Sequence, residues 1–303
     1  MEPRSNSIEP TLDIKKCIIS DNPSGLLVSF DFSQLEIAAL AEITLDPVLI
    51  QEVNARVDLH RENAAMWLKK DPSLVTDKER KHAKIMTFQL QYGAGYKKMS
   101  DTLGITPKEA KDFIKAFYDK YEQVAIWHEQ LKMRQKFLTE NNAHLEGTHM
   151  YHGHEHTSPV DRNYFVNCSK DSSSGEPYLP LTAMKNYPVQ GFATGDLVPI
   201  VVNRVQNIIK HQNLQNTIVL VNTVHDDFTY DLTSAEHLYI LLQIVEYSFA
   251  TLREYFTKYF HYTLQVDYTY EAKVGENLSE VAKLTRKDII ELLQENCEET
   301  NGE

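Results

Sequence analysis

The sequence predicts an α+β fold in which a few short, acid-ended strands are set among longer helical stretches. Three observations predict it. Leu26–Asp31 (LLVSFD) is a short apolar run closed by an acid, the pattern of a buried strand. Thr217–Leu232 (TIVLVNTVHDDFTYDL) places two β-rich runs around His225-Asp226-Asp227, which reads as a hairpin with acids at its tip. The long middle of the chain instead carries apolar residues at helical spacing. Strands that carry acids, with helices packed behind them, make an α+β platform.

The bulk properties bound this picture. A chain of 303 residues forms one large or two moderate domains and buries roughly 75% of its unfolded surface. Its composition, 42% hydrophobic and 24% charged, is that of a water-soluble globular protein. No apolar run reaches bilayer length and the N-terminus MEPRSNSIEP has no signal-peptide pattern, so no membrane role is expected. Cys17, Cys168 and Cys297 lie far apart with no CxxC. They argue against a disulfide framework or a zinc ribbon and fit a reducing cytoplasm. The net charge of −12 argues against nucleic acid only if the charge is evenly spread. It is not: Lys69–Lys120 holds twelve Lys/Arg against seven Asp/Glu, whereas the last thirteen residues carry five Glu and no base.

The elements follow in order. The first twenty residues are polar and irregular, and LLVSFD is the first strand. Lys78–Tyr92 is helix-like and stops at Gly93-Ala94-Gly95. Thr106-Pro107-Lys108-Glu109 is a capping box with proline at the first helical position. The helix it opens turns Phe113, Ile114, Phe117, Tyr118, Tyr121 and Val124 to the core. Residues 141–182, rich in Asn, His, Ser, Gly and Pro, read as a long connection. After the hairpin, Thr233–Glu236 reads as a second capping box, opening a helix with Leu238, Leu241, Leu242, Val245 and Phe249 on one face. Leu264–Tyr270 is a last strand candidate, and residues 285–297 read as a short amphipathic helix.

Two constellations carry chemistry. Asp31 and Asp226 stand at strand ends 195 positions apart. Transfer of a nucleotidyl group needs charge neutralised on the attacking and leaving oxygens. Two Mg²⁺ ions about 3.5–4 Å apart do this, and hard cations take oxygen ligands such as adjacent strand-end aspartates. Read singly, each acid equally suits the capping of a turn. Arg80, Lys84, Phe88 and Tyr92 fall at i, i+4, i+8 and i+12, so they share one helical face. Two cations followed by two aromatics suit a nucleotide triphosphate and its base, although snorkelling bases over core aromatics give the same pattern. His144, His149, His152, His154 and His156 crowd into thirteen residues. With no cysteine nearby and glycine between them, they are read as a solvated loop rather than a transition-metal site.

Together these segments resemble the family A DNA polymerases, the group of bacterial polymerase I and its phage relatives. Asp31-Phe32-Ser33-Gln34-Leu35-Glu36 is similar to that family's motif A, and Arg80-x3-Lys84-x3-Phe88-x3-Tyr92-Gly93 to its motif B. Val224-His225-Asp226-Asp227 resembles motif C. Asn186-Tyr187-Pro188-Val189-Gln190-Gly191 is similar to a minor-groove-contacting segment, and Val57-Asp58-Leu59-His60 to a triphosphate-contacting one. Arg4 with Pro10 and Leu12 fits the stretch before motif A, and Val274-Gly275-Glu276-Asn277 the usual C-terminal strand. The resemblance runs from about residue 4 to 280 in the family's order, and the run Asn186–Gly195 looks like phage members.

What the resemblance implies can be stated residue by residue. The fold is a polymerase palm with an antiparallel sheet plus a mostly helical fingers subdomain. Residues 1–44 are the N-terminal palm, 45–185 the fingers and connection, 186–283 the rest of the palm, and 284–303 a C-terminal extension. Asp31, Asp226 and the backbone carbonyl of Phe32 hold two Mg²⁺ ions, with Mn²⁺ as a substitute and Asp227 as an auxiliary acid. Arg80, Lys84 and His60 bind the triphosphate of a dNTP, Lys84 also serving catalysis. Phe88 and Gln34 complete that site, and Tyr92 with Glu36 excludes the 2′-hydroxyl. Arg4, Asn186, Gln190 and His225 meet the primer-template DNA. The function implied is template-directed, DNA-directed DNA synthesis in replication, in the cytoplasm of a bacterium or a phage-infected cell. Three departures stand out. Ala38 replaces a usual Arg, Asp227 a usual Glu, and the thumb and 3′–5′ exonuclease domains expected before the palm are absent. The expectation is therefore a split polymerase with a separate chain carrying both. The alternatives are an inactive DNA-binding or scaffold remnant, and a single-subunit RNA polymerase, which shares the Arg-Lys-Tyr-Gly helix but lacks a bulky acid at position 36.

Overall fold

The structure is a computed structural model and describes residues 13–141, 148–151, 159–160, 162–285 and 287–292. In chain order the first elements are β1 (Leu26–Phe32), α1 (Leu35–Thr44), α2 (Pro47–Asn54), α3 (Leu59–Leu68), α4 (Asp77–Gln91), α5 (Tyr96–Leu103), α6 (Pro107–Lys120) and α7 (Glu122–Asn141). Four short strands follow, β2 (Thr148–Tyr151), β3 (Tyr164–Asn167), β4 (Ser169–Lys170) and β5 (Pro177–Tyr178). Then come α8 (Leu181–Gln190), a π-helical turn (Gly191–Leu197), α9 (Val198–His211), β6 (Ile218–Val224) and β7 (Asp227–Leu232). The last are α10 (His237–Ala250), α11 (Leu252–Phe260), β8 (Tyr270–Gly275) and β9 (Val281–Leu284). The mixed helix and antiparallel sheet is the α+β class that the sequence predicts.

The chain divides into two compact units. The first comprises Met1–Ser33, Val198–Leu252 and Thr269–Glu303. Its heart is a five-stranded antiparallel sheet in the order β6-β7-β1-β8-β9. The side-chain period of two separates the faces of the sheet. On one face Phe30 stacks on Phe228 at 5.3 Å between ring centroids, while Phe32 and Tyr270 meet Phe249 of α10 at 4.9 and 4.8 Å. On the other face Ser29 bonds Thr229 at 2.8 Å and Ser20 donates to Asp231 at 2.5 Å. A buried strand with one apolar and one polar face is what LLVSFD specifies, and its polar positions lead to Asp31.

The second unit comprises Gln34–Leu197 and Arg253–Tyr268. α1 is buried almost all round, and α7 and α8 pack on it. Asp46, itself buried, accepts from the amides of Val48 and Leu49 to cap α2 and from that of Gln123 at the start of α7. One carboxylate thus fixes two helix ends. α4 and α6 both begin in full capping boxes, Thr76 with Glu79 and Thr106 with Glu109. Phe113, Phe117, Tyr121 and Val124 are buried as their spacing predicts, although α6 stops at Lys120 and Glu122 begins α7.

Three expectations are corrected. Thr233–Glu236 does not cap a helix: α10 starts at His237 with no side-chain cap. The amides of His237 and Leu238 instead bond the carbonyls of Ser234 and Ala235, three residues back. Leu264–Tyr270 is not a strand. The Gln265 and Val266 amides donate to the buried carboxylate of Glu42 at 3.0 and 2.9 Å, and strand pairing begins only at Tyr270. Within 141–182 the described residues are not plain connection but include β2–β5. Within 285–297 the expected helix is present over 287–292, opened by a reciprocal Thr285–Asp288 cap, while 286 and 293–297 lie outside the described residues. The side chains of the histidine cluster also lie outside them, as do Arg4 and Cys297. Cys17 is an exposed free thiol. No helix among the described residues is long and apolar enough to cross a membrane.

Candidate functional site

In the first unit the sheet brings the expected acids to one corner. Asp31 on β1 lies directly across from Asp227 on β7 and from Glu271 on β8. The Phe32 amide donates to the Asp226 carbonyl at 3.1 Å, which ties the hairpin tip to the end of β1. His225 holds that tip in the left-handed region, φ +56°, a conformation an ordinary side chain resists. Burial pushes the Asp31 carboxyl above its usual range, and the charges of Asp226, Asp227 and Glu271 add to this. Lys273, with Nζ 3.7 Å from Oδ2 of Asp31, opposes it in part. Asp227 is likewise raised by burial, against the pull of its Thr229 bond and of Lys273, and Asp226 raises it further. Glu271 and Lys273 were not among the residues singled out from the sequence. The alternation Tyr270, Ala272, Val274 with Glu271 and Lys273 between is the signal that finds them.

This corner suits a hard divalent cation. Its acids are half-buried and repel one another, a charge excess that a cation relieves. Among the described residues no three His, Cys, Asp or Glu side chains form a closed metal cage. Mg²⁺ does not need one, since it binds through one or two carboxylates plus water and substrate phosphate oxygens.

In the second unit the motif B face forms around α4. Asp58 caps α3 through the Arg61 amide and accepts from Arg80 Nε at 2.6 Å. Burial pushes the Asp58 carboxyl up, but these bonds more than offset it and hold it below its usual range. Lys84 Nζ lies 5.8 Å from the Phe88 ring centroid, and the His60 ring sits 5.7 Å from that same ring. Phe88 in turn stacks on Tyr92 at 6.3 Å and 20°. His60 is buried and its Nδ1 has no partner. Burial, then the charges of Lys84 and Arg80, push its pKa down to about 4, so it is neutral near pH 7. The structure therefore brings together His60, Arg80, Lys84, Phe88 and Tyr92. Asp58 as the carboxylate that aims Arg80 was missed; an Asp two residues before His60, at a helix N-cap, is its signal.

At the far end of the same face, the Tyr92 hydroxyl donates to Oε2 of Glu36. Burial and this carboxylate push the Tyr92 phenol well above its usual range. Gln190 Nε2 donates to Oε1 of Glu36 at 3.4 Å, and Asn186 Nδ2 to Gln190 Oε1 at 3.0 Å. Gly93, at φ +76°, lets the end of α4 approach α8, since a Cβ there would stand 3.3 Å from Thr182 Cγ2. Gln34, also left-handed at φ +51°, is the N-cap residue of α1 and reaches the Val57 carbonyl at 3.5 Å. Ala38 is buried in α1, so this position offers no polar contact.

Comparison with known proteins gives the family and the fold. The profile described as DNA polymerase family A matches residues 5–280. DNA polymerase I of Caldicellulosiruptor bescii is 30% identical over 207 residues, 68% of this chain and 22% of that protein. DNA polymerase theta of Mus musculus is 36% identical over 102 residues, 34% of this chain and 4% of that protein. DNA polymerase I of Geobacillus stearothermophilus is 25% identical over 244 residues, 77% of this chain and 26% of that protein. The chain thus spans about a quarter or less of the length of these relatives. Among solved structures, the POL domain of Pol1 from M. smegmatis, in complex with DNA primer-template and dNTP, shares the fold. Its TM-score is 0.64 at 19% identity, covering 88% of this chain and 42% of that one.

Proposed function

This chain belongs to DNA polymerase family A, and on that premise we propose that it supplies the catalytic centre for template-directed addition of dNTPs to a primer 3′-hydroxyl. The observation that carries the reading is the sheet register, which sets Asp31 across from Asp227 and ties the Phe32 amide to Asp226. On this reading 1–44 and 186–283 act as palm and 45–185 as fingers and connection.

Asp31, Asp226 and the Phe32 carbonyl would hold the metal ions. Two Mg²⁺ ions bound there would neutralise charge on the attacking and leaving oxygens. The primer 3′-hydroxyl loses its proton to solvent, its oxygen bonds the α-phosphorus as the bond to pyrophosphate breaks, and pyrophosphate leaves a primer one nucleotide longer. Lys84 and Arg80 hold the triphosphate, with Asp58 fixing the Arg80 guanidinium in advance. Neutral His60 presents one ring N–H and no added charge to the same phosphates. Phe88 stacks beside the sugar and base. The Tyr92–Glu36 pair fills the space a 2′-hydroxyl needs, a steric filter that favours dNTPs over rNTPs. Asn186, Gln190, His225 and Arg4 meet the primer-template.

Asp31→Ala and Asp226→Ala test the proposal. Each is expected to lower Mg²⁺-dependent primer extension by about 10³-fold or more while leaving the circular dichroism spectrum and thermal transition in place. Extension near the wild-type rate by either variant overturns it.

A further inference from the structure

Glu36 receives two donors. Its Oε2 is taken by Tyr92, and its Oε1 by Gln190, whose carbonyl is in turn held by Asn186. The chain ends on Asn186 Oδ1, which is buried with no partner. Residues assigned to two tasks, choice of sugar and contact with the duplex, therefore share one carboxylate.

The backbone around Gln190 is shaped to put its amide there. Pro188 interrupts the bonding of α8, and the chain widens into the π-helical turn Gly191–Leu197 immediately after Gln190. Thr194 Oγ1 donates to the Gln190 carbonyl at 2.9 Å. Gly191 admits the Tyr164 ring, whose edge lies 2.9 Å from where a Cβ would stand, and the Tyr164 hydroxyl donates to the Pro188 carbonyl at 3.4 Å. A regular helix would carry the residues after Gln190 on in ordinary register. The wide turn sets Gln190 apart from them.

We propose that Gln190 is a positioning residue for sugar selection. Its amide fixes the Glu36 carboxylate against Tyr92, with Asn186 steadying that amide, so that the filter against ribonucleotides depends on the residues that touch the primer-template. The inference rests on the polymerase reading above. Without the Gln190 bond, Glu36 keeps Tyr92 as partner but loses the restraint on its second oxygen. The carboxylate then yields to a 2′-hydroxyl, or accepts from it. A residue that only contacts DNA would weaken use of both nucleotide classes alike.

The measurement is the ratio of kcat/KM for a dNTP to that for the matching rNTP, on one primer-template with the active polymerase. Gln190→Ala and Gln190→Met, the latter keeping length without the donor, are each expected to lower the ratio about tenfold, the effect of one bond to a charged acceptor. Asn186→Ala is expected to lower it in the same direction by less. In a Glu36→Ala background, Gln190→Ala is expected to leave the ratio unchanged, because the group it positions is gone. Equal loss for both nucleotides in the Gln190 variants overturns the inference and leaves the polymerase reading intact. So does the same change in ratio with and without Glu36. Wild-type protein that extends with neither nucleotide class overturns the polymerase reading and this inference with it.

Discussion

The acid corner of the sheet and the motif B face of α4 carry opposite electrostatic loads. At the corner, half-buried carboxylates repel one another and the Asp31 and Asp227 carboxyls are raised. On α4, cations crowd a buried imidazole and His60 is lowered to about 4. Each region holds charge it does not compensate for itself. Taken each by itself, the corner suits a cation and the helix face an anion. The two are also built differently. The corner comes from strand register, in which residues 31 and 227 face each other because β1 and β7 pair. The helix face comes from spacing within one element.

Changing pH tests the comparison with the largest expected effect. The folded pKa of His60 lies below its unfolded value, so the unfolded chain binds more protons between the two. Stability is then lost as pH falls from about 6.5 to about 4. Over that window His60 contributes about 3 kcal/mol of the loss. In denaturant titrations across pH 4–7, His60→Asn is expected to lose less stability than wild type between pH 7 and pH 4 by about that amount, and parallel curves would count against a buried neutral imidazole. Next in size is the cationic face itself. Lys84→Ala is expected to lower kcat/KM for dNTPs about 10–100-fold, as loss of a charged hydrogen-bond donor does, and an unchanged value in steady-state kinetics would separate Lys84 from the triphosphate. The smallest effect lies at the corner and has the opposite sign for stability. Removing a charge from the repelling cluster by Asp31→Asn is expected to raise Tm by about 1–3 °C in the absence of divalent ions. A lower Tm by calorimetry would show that the acids are not in excess.

The same contrast governs what the sequence made legible. α4 and its shared face were readable because periodicity and stop signal both lie within residues 78–95, although the Thr76–Glu79 capping box was not read. β1 and the hairpin were readable from their apolar runs and acid ends. The parts that were not readable depend on contacts remote in sequence. Leu264–Tyr270 looks like a strand, but Glu42, more than 220 positions away, takes its amides. Thr233–Glu236 has the letters of a capping box, but the Glu236 amide it would cap donates to Ser234 Oγ instead. Glu271 and Lys273 join the acid corner only through the β1–β8 register, and Gln190 at the end of α8 meets Glu36 across 154 positions. Local chemistry pointed to candidate residues; pairing across the chain determined their neighbours.

The central claim is templated nucleotide addition. Its most direct test is single-nucleotide incorporation with Mg²⁺ on four primer-templates that differ only in the templating base, each offered all four dNTPs and then all four rNTPs. The account predicts incorporation of the complementary dNTP in each case, strong disfavour of the rNTP, and loss of both when Mg²⁺ is chelated. Primer-template binding with no incorporation, or a preference for rNTPs, would contradict it.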